Sequence, residues 1–326
     1  MKLDLQKTGN KAAGAVAMVA AALLVGAVLV MISGNNPLEA YSTLLSGAFS
    51  SKQRVSELFV KLVPVMIMGL GISVAYRAQL WNIGAEGQFI MGSIAAAGGW
   101  ALLAGFLKVR FHANEVITTL MLNYIADYFL DFLVYGPMMD PAGQLPQSAM
   151  VPEGIQIKAI FSGLRVHYGL AIMVVVFILT VLLWRSTLGY RINLIGQGER
   201  VSTYAGVNVK RTILLTMFIS GAVAGVAGWI ETFGLQYRIM ENMAGSYGNI
   251  ATVVALLGAL HPCGIAVASF FFSILLVGGA SMQRMTNVPY SIVDVIQGLI
   301  IIFVIAGIVG QGRKTVKRAG RIGKDA

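Results

Sequence analysis

The stretch WRSTLGYRINLIGQGERVSTYAGVNVKRT, residues 184–212, is a compact polar segment set between two long apolar runs. It carries Arg185, Arg191, Arg200, Lys210 and Arg211 against a single acid, Glu199. Lys and Arg are retained on the cytoplasmic side of a membrane, so the segment reads as a cytoplasmic connection between two spans. A small helix is predicted across it, with Ser202 or Thr203 near its middle and Gly206 closing it. A membrane protein that presents a short helix to the cytoplasm presents it to a partner.

The rest of the chain fits that reading. Of its 326 residues, 57% are hydrophobic and 12% charged, and the mean hydropathy is +0.76. Soluble domains carry roughly 25% charged residues, and so few charges could not cover a globular surface. The fold class is therefore all-α, a polytopic helical membrane protein. Apolar runs fall at roughly 12–33, 56–77, 87–107, 114–136, 166–184, 212–235, 249–260, 263–280 and 290–310, which predicts about 8–10 transmembrane or re-entrant helices. The run from Ala12 to Ile32 follows a basic start but lacks a small-x-small cleavage site, so it is read as a retained span. Segment 36–55 is mixed in character and is expected to lie along the outer interface as a short amphipathic helix. Loop 137–165, with Pro137, Pro141, Pro146 and Pro152 and little positive charge, suits the outer face.

A net charge of +10 would suggest nucleic acid in a soluble protein; here it belongs to cytoplasmic loops and tails. Lys2, Lys7 and Lys11 at the start, and Arg313, Lys314, Lys317, Arg318, Arg321 and Lys324 at the end, place both termini inside. Residues 1–312 form one transmembrane domain with a cytoplasmic loop at 185–211. Residues 313–326 form a basic tail suited to anionic lipid. Cys263 is the only cysteine, His112, His167 and His261 are scattered, and no metal-ligand spacing occurs. GIVGQGRKT (307–315) misses the phosphate-loop pattern, because Arg313 stands where lysine is required. No catalytic constellation appears, so an enzyme is disfavoured.

Two polar interruptions stand out within the apolar context. WNIGAEGQ (81–88) places Asn82, Gly84, Glu86, Gly87 and Gln88 between apolar runs; it is either a bend beside a translocation path or a short cytoplasmic turn. In ANEVITTLMLNYIAD (113–127), Thr119, Asn123 and Asp127 recur every four residues and share one helical face, which Asp131 extends. That face points either to an aqueous path or to interhelical hydrogen bonding. Glu231, Asn242, Tyr247 and Asn249 either line an entrance or serve as loop hydrogen-bonding groups, and Asp294 reads as a helix-start charge. The chain holds 38 glycines, about 12% against an average near 7%. Gly221, Gly225 and Gly228 form a small-residue face for close helix packing.

NIGAEGQ (82–88), KVRFHANEVITTLMLNYIA (108–126), GYRINLIGQGERVSTYAGVNVKR (189–211), SGAVAGVAGWIE (220–231) and VALLGALHPCGI (254–265) together resemble the permease subunits of bacterial ABC importers. The similarity is to the nucleoside and simple-sugar type, in the broad family that includes ribose and branched-chain amino-acid permeases, and it covers about residues 50–310. The resemblance implies a permease subunit in the inner (cytoplasmic) membrane. Its partners would be ABC ATPase subunits that bind ATP and Mg, a second permease subunit, identical or homologous, and an extracytoplasmic substrate-binding lipoprotein. No cofactor is expected in this chain. The loop matching 189–211 would hold a coupling helix docking on the ATPase, with Gly196, Glu199, Arg200, Ala205, Gly206 and Val207 at its core. Asn82, Glu86, Gln88, Thr119, Asn123 and Asp127 would line the substrate path, with Phe89, Tyr124 or Trp229 available to stack on a base. A simple-sugar permease and an ion-coupled secondary transporter using Asp127 and Asp131 are the alternatives.

The chain departs from the family pattern at one place. In the relatives, a span out and a span back follow GAEGQ. Here only QFIMGSIAAAGGWALLAGFL separates Gly87 from Lys108, the length of one crossing. One crossing would put Lys108 and Arg110 outside and invert the basic loop at 185–211. Either 87–107 is a re-entrant hairpin, or about one helix is missing.

Overall fold

The computed structural model describes residues 2–307 other than 95, 96, 144, 287, 290, 297, 304 and 305. The basic tail at 313–326 and most of the 307–315 motif therefore lie outside the described residues. Twelve helices are named in chain order: α1 Lys2–Ile32, α2 Pro37–Phe49, α3 Lys52–Arg77, α4 Ala85–Ser93, α5 Ala97–Phe111, α6 Glu115–Tyr135, α7 Gly169–Arg185, α8 Thr187–Ile195, α9 Glu199–Tyr204, α10 Val209–Glu231, α11 Tyr247–Leu257 and α12 Pro262–Thr286. Among the described residues, α3, α6, α10 and α12 are long and apolar enough to cross a membrane. Two bent pairs, Ala17–Ile32 with α2 and α7 with α8, raise that number to six, and Ser291–Phe303 adds a shorter apolar helix.

The chain divides into two compact units, Met1–Ser50 with Ile274–Ala326, and Ser51–Ser273. In the first, α1 ends in a turn with Gly34 at φ +81°. The Asn36 side chain then accepts the Leu38 N–H and caps α2, with Pro37 opening the helix, where its missing N–H costs nothing. The two helices meet at 115°, and Tyr41 ties them by donating to the Leu23 carbonyl at 2.7 Å. Small residues set the packing inside this unit. Gly47 lies against Ser281, and Gly278 against the Leu44 backbone. The helix expected over 36–55 stops at Phe49, because Ser51 turns the chain and caps α3 through the Arg54 N–H.

The second unit is built around α10 and α3, most of whose side chains are buried. α10 continues into a π-helical turn, Thr232–Gln236. α4, α5 and α3 pack on α10, and α11 packs on α3. α6 and α7 stand at the periphery with apolar side chains such as Ile117, Met121, Phe132, Val175, Ile178 and Leu182 exposed, as lipid-facing or partner-facing helices do.

Residues 87–107 form a hairpin rather than one crossing. α4 has 9 residues and α5 has 15, and at about 1.5 Å per residue neither reaches the ~30 Å of a bilayer core. Their directions follow from their neighbours on α10 and α6. Asn82 bonds Ser220, whereas within α4 Gly92 meets Gly225 and the Phe89 carbonyl meets Gly228, so the chain advances along α10 from Asn82 into α4; Gly84 at Thr119 and Gly87 at Asn123 show that α4 runs in the same direction as α6. Ala97 then meets Gly225, Ala101 meets Gly221 and Gly105 meets Met217, so α5 returns antiparallel. The glycines of the small-residue face let both backbones approach. The hairpin brings Lys108 back to the end of the unit that holds the 185–211 segment, where it lines concavities with Glu199, Lys210 and Gly196.

The unit thus has two unlike ends. One gathers Arg77, Lys108, Arg110, Arg185, Arg191, Arg200, Lys210 and Arg211 against Glu115 and Glu199. The other holds the 136–168 loop, in which cations meet acids. Arg165 pairs with Glu57 at 2.6 Å and Arg238 with Asp140 at 3.2 Å, while Ser56 Oγ accepts the Arg165 and Val166 N–H groups. His167 is buried there, and its Nδ1 accepts the Gly169 N–H at 3.1 Å. Burial, then the nearby Arg165 charge, push its pKa down, so the ring is held neutral.

Candidate functional site

The site begins where α3 stops. Gln79, at φ +58°, receives the chain in a left-handed turn, closed by Leu80 N–H to the Ala75 carbonyl at 3.1 Å and Gln79 N–H to Tyr76 at 3.0 Å. These bonds are the paired closure of a Schellman-type end. An extended segment then runs to Asn82, and α4 starts beside Ser220, in the middle of α10. Such a half-helix has free N–H groups within the apolar layer, where each must find a partner.

Those partners are the polar residues that the sequence singled out. The Asn82 and Gln88 side chains pair as amides: Nδ2 of Asn82 donates to Oε1 of Gln88 at 3.0 Å, and Nε2 of Gln88 donates back to Oδ1 at 2.9 Å. Asn82 also donates to Ser220 Oγ at 2.9 Å and accepts the Gly84 N–H at 3.1 Å. From α6, Thr119 Oγ1 accepts the Ile83 N–H at 3.2 Å. Asn123 accepts the Gly87 N–H at 2.8 Å and donates to the Ile83 carbonyl at 3.0 Å. Gly84 and Gly87 have no side chain because Thr119 and Asn123 occupy the space. The four-residue period of Thr119 and Asn123 is thus the period of the face that clamps α4.

Asn82, Gln88, Thr119 and Asn123 are buried and occupied with one another, whereas Glu86 and Asp127 are half-buried at the open edge. Glu86 accepts the Asn249 N–H at 3.3 Å and so caps the start of α11. Asp127 stands near Glu86, and Asp131 near Asp127. Beside them Tyr124 is 54% exposed, whereas Phe89 is fully buried with its ring 6.0 Å from that of Tyr247. Trp229 lies at the edge of an open apolar cleft beside Gly98 and Phe218. Glu231 is buried at the opposite end and accepts from Gln236 at 3.1 Å. Lys61 donates to the hydroxyl of the buried Tyr247 at 2.7 Å, while Asn242 and Asn249 are exposed.

At the basic end, the 185–211 segment forms two helices where the sequence suggested one. Ser186 ends α7 in extended geometry and caps α8 through the Gly189 N–H at 3.2 Å. Gly189 lies against the Leu183 carbonyl, so only glycine permits this reversal. Ile192, Leu194 and Ile195 turn inward, and the 3.6-residue period of α8 was the available signal. α9 follows, with Ser202 buried in its middle, and Gly206, at φ +74°, terminates it. Glu199, Arg200, Ala205 and Gly206 are exposed, and Gly196 and Val207 half-buried. Val201 and Tyr204 are 47% and 91% exposed, an apolar pair on the outer face of α9 that the charge pattern did not single out. No group of His, Cys, Asp and Glu able to hold a metal occurs among the described residues.

A multi-pass helical protein with a half-helix clamped in its middle and a short helix displayed at its basic end is built for transport. The sequence profile of the branched-chain amino acid transport system / permease component family matches residues 93–305. The chain belongs to this family and is the transmembrane permease subunit of an ABC transport system. It is 30% identical to a glucose ABC transporter permease, TsgB13, of Haloferax volcanii, over 88% of this chain and 85% of that protein. It is 31% identical to a guanosine ABC transporter permease, NupP, of Bacillus subtilis, over 86% of this chain and 89% of that one. A nucleoside ABC transporter permease, NupB, of Lactococcus lactis is 28% identical, with 86% and 87% covered. No solved structure matches. Family membership sets aside the ion-coupled transporter alternative.

Proposed function

We propose that this chain forms one half of the membrane path of an ATP-driven importer of nucleosides. In this reading the basic end faces the cytoplasm, as the Lys and Arg bias requires, in the inner membrane with both termini inside. A separate ATPase subunit binds ATP and Mg and docks on α9, the outer end receives substrate from a binding lipoprotein, and a second permease subunit completes the path. Glu86, Asp127 and Tyr124 lie on the open edge of the clamped half-helix, where an aromatic face can stack on a base and carboxylates can accept ribose hydroxyls. Asn82, Gln88, Thr119 and Asn123 act on the path by holding α4. The observation that supports this reading is α9 itself: a six-residue helix that exposes the apolar pair Val201 and Tyr204 beside Glu199 and Arg200, a surface suited to a docking partner. Two of the three relatives above are nucleoside permeases by name and the third a glucose permease, so a simple sugar is the second reading.

Glu199→Arg is expected to leave membrane insertion intact and to lower substrate-stimulated ATP hydrolysis by the assembled complex about tenfold, a loss of ~1.4 kcal/mol in coupling. Unchanged stimulation would count against docking at α9. Competition for uptake between unlabelled guanosine and glucose separates the two substrate readings. Orientation is testable without mutation, because Cys263 is exposed at the start of α12, beside the basic end. An impermeant maleimide is expected to label it in inverted vesicles carrying this chain alone and not in intact spheroplasts. The reverse pattern would invert the topology.

A further inference from the structure

We propose that Arg77 is the positioning residue through which the docking segment 186–211 acts on the half-helix α4. The proposal rests on the importer reading above and adds to it the route inside the permease. Arg77 is the last residue of α3, and two turns and a helix end converge on it. Its Nε donates to the Leu260 carbonyl at 3.0 Å, within the tight turn between α11 and α12 where Ala259 and Leu260 both have positive φ. Its guanidinium lies 4.0 Å from the centre of the Trp184 ring, at the end of α7. Its carbonyl lies against Gly196, at the turn from α8 to α9, so closely that a Cβ on residue 196 would enter the oxygen.

The other side of Arg77 leads to the path. Four residues separate it from Asn82, and the second of them, Gln79, makes the left-handed turn. A non-glycine residue in that conformation persists only where its surroundings dictate it. Asn82 in turn is fixed to Gln88 and Ser220. A displacement of the turn at Gly196 therefore meets no compressible side chain before it reaches the backbone of residue 77. The connector at 78–82 is short and anchored at both ends, so it passes the displacement to the start of α4. Packed elements of this kind switch between discrete arrangements rather than deforming smoothly.

The chemistry of the residue bears on the test. Arginine can stack its planar guanidinium on an indole face while Nε donates in the plane, whereas the ammonium of lysine cannot do both. Trp184 contributes its ring face, since its Nε1–H is buried without an acceptor.

The experiment uses this chain assembled with its ATPase and permease partners in proteoliposomes and reads guanosine taken up per ATP hydrolysed. Arg77→Lys is expected to assemble and hydrolyse ATP, with uptake per ATP lowered about fivefold or more. Trp184→Leu should lower the ratio likewise, whereas Trp184→Phe, which keeps an aromatic face, should retain it. A wild-type ratio in Arg77→Lys overturns the proposal. If Arg77→Lys fails to assemble, the Trp184 pair decides: a wild-type ratio in Trp184→Leu, or equal loss in the leucine and phenylalanine variants, also overturns it. Failure of the unmodified chain to assemble with any ATPase would instead sink the importer reading, and this role with it.

Discussion

Asn82→Leu is expected to cost more than any other single change to the polar core. The side chain that it removes serves three partners, Gln88, Ser220 and the Gly84 N–H, at 2.9–3.1 Å, and all of them are buried. Each buried group left without a partner costs roughly 1–3 kcal/mol. The total is then on the order of several kcal/mol, against ~5–15 kcal/mol for a whole domain. The measurement is the fraction of detergent-solubilised chain that remains monodisperse on heating, compared with the unmodified protein. The double variant Asn82→Leu with Gln88→Leu provides the decisive comparison. It removes both members of the amide pair, so it should be less damaged than the sum of the two single variants, by about 0.5–3 kcal/mol of coupling. Additive losses would mean that the pair is not a unit.

Gly228→Leu should be the most damaging steric change. A Cβ there would enter the Phe89 carbonyl, and backbone cannot move aside as a flexible side chain can. Overpacking costs ~1–3 kcal/mol where neighbours can adjust, and more where they cannot. Here the hairpin must leave α10 and strain the Asn82–Gln88–Ser220 bonds. Gly99→Leu is the control within the same hairpin, since no atom lies within 4 Å of its Cβ position. It also replaces a glycine in the first turn of α5, where any gain in helix propensity is at most about 1 kcal/mol. Folded yield measured by fluorescence-detected gel filtration should collapse for Gly228→Leu and hold or rise for Gly99→Leu. Equal behaviour would refute the packing of α4 and α5 on α10 described above.

The same residues show how far the sequence could be read. Charge alone distinguished the 185–211 segment from loop 137–165, and the structure sets the two at opposite ends of one unit. Positive φ at Gly206 closes α9 where the glycine stood in the sequence. The glycine face at 221, 225 and 228 announced close helix packing without naming its partners. Helical spacing put Thr119 and Asn123 on one face, but the same spacing suits a wet path and a dry clamp.

What the sequence determined by itself was the class of protein: too few charges to cover a soluble surface, apolar runs of spanning length, and basic residues confined to particular connections. These are one-dimensional quantities, and hydrophobicity and charge act on each segment whatever its neighbours. Only the tertiary structure decided that 85–111 turns back, because an apolar run of twenty residues has the same composition whether it crosses or folds in half. The choice fell to contacts with Gly221, Gly225 and Gly228, more than a hundred positions away. The same holds for the saturation of Asn82 by Gln88 and Ser220, the half-buried position of Glu86 and Asp127, and the convergence of two turns and a helix end on Arg77. Each depends on which surfaces meet, and the meeting is settled by packing in three dimensions.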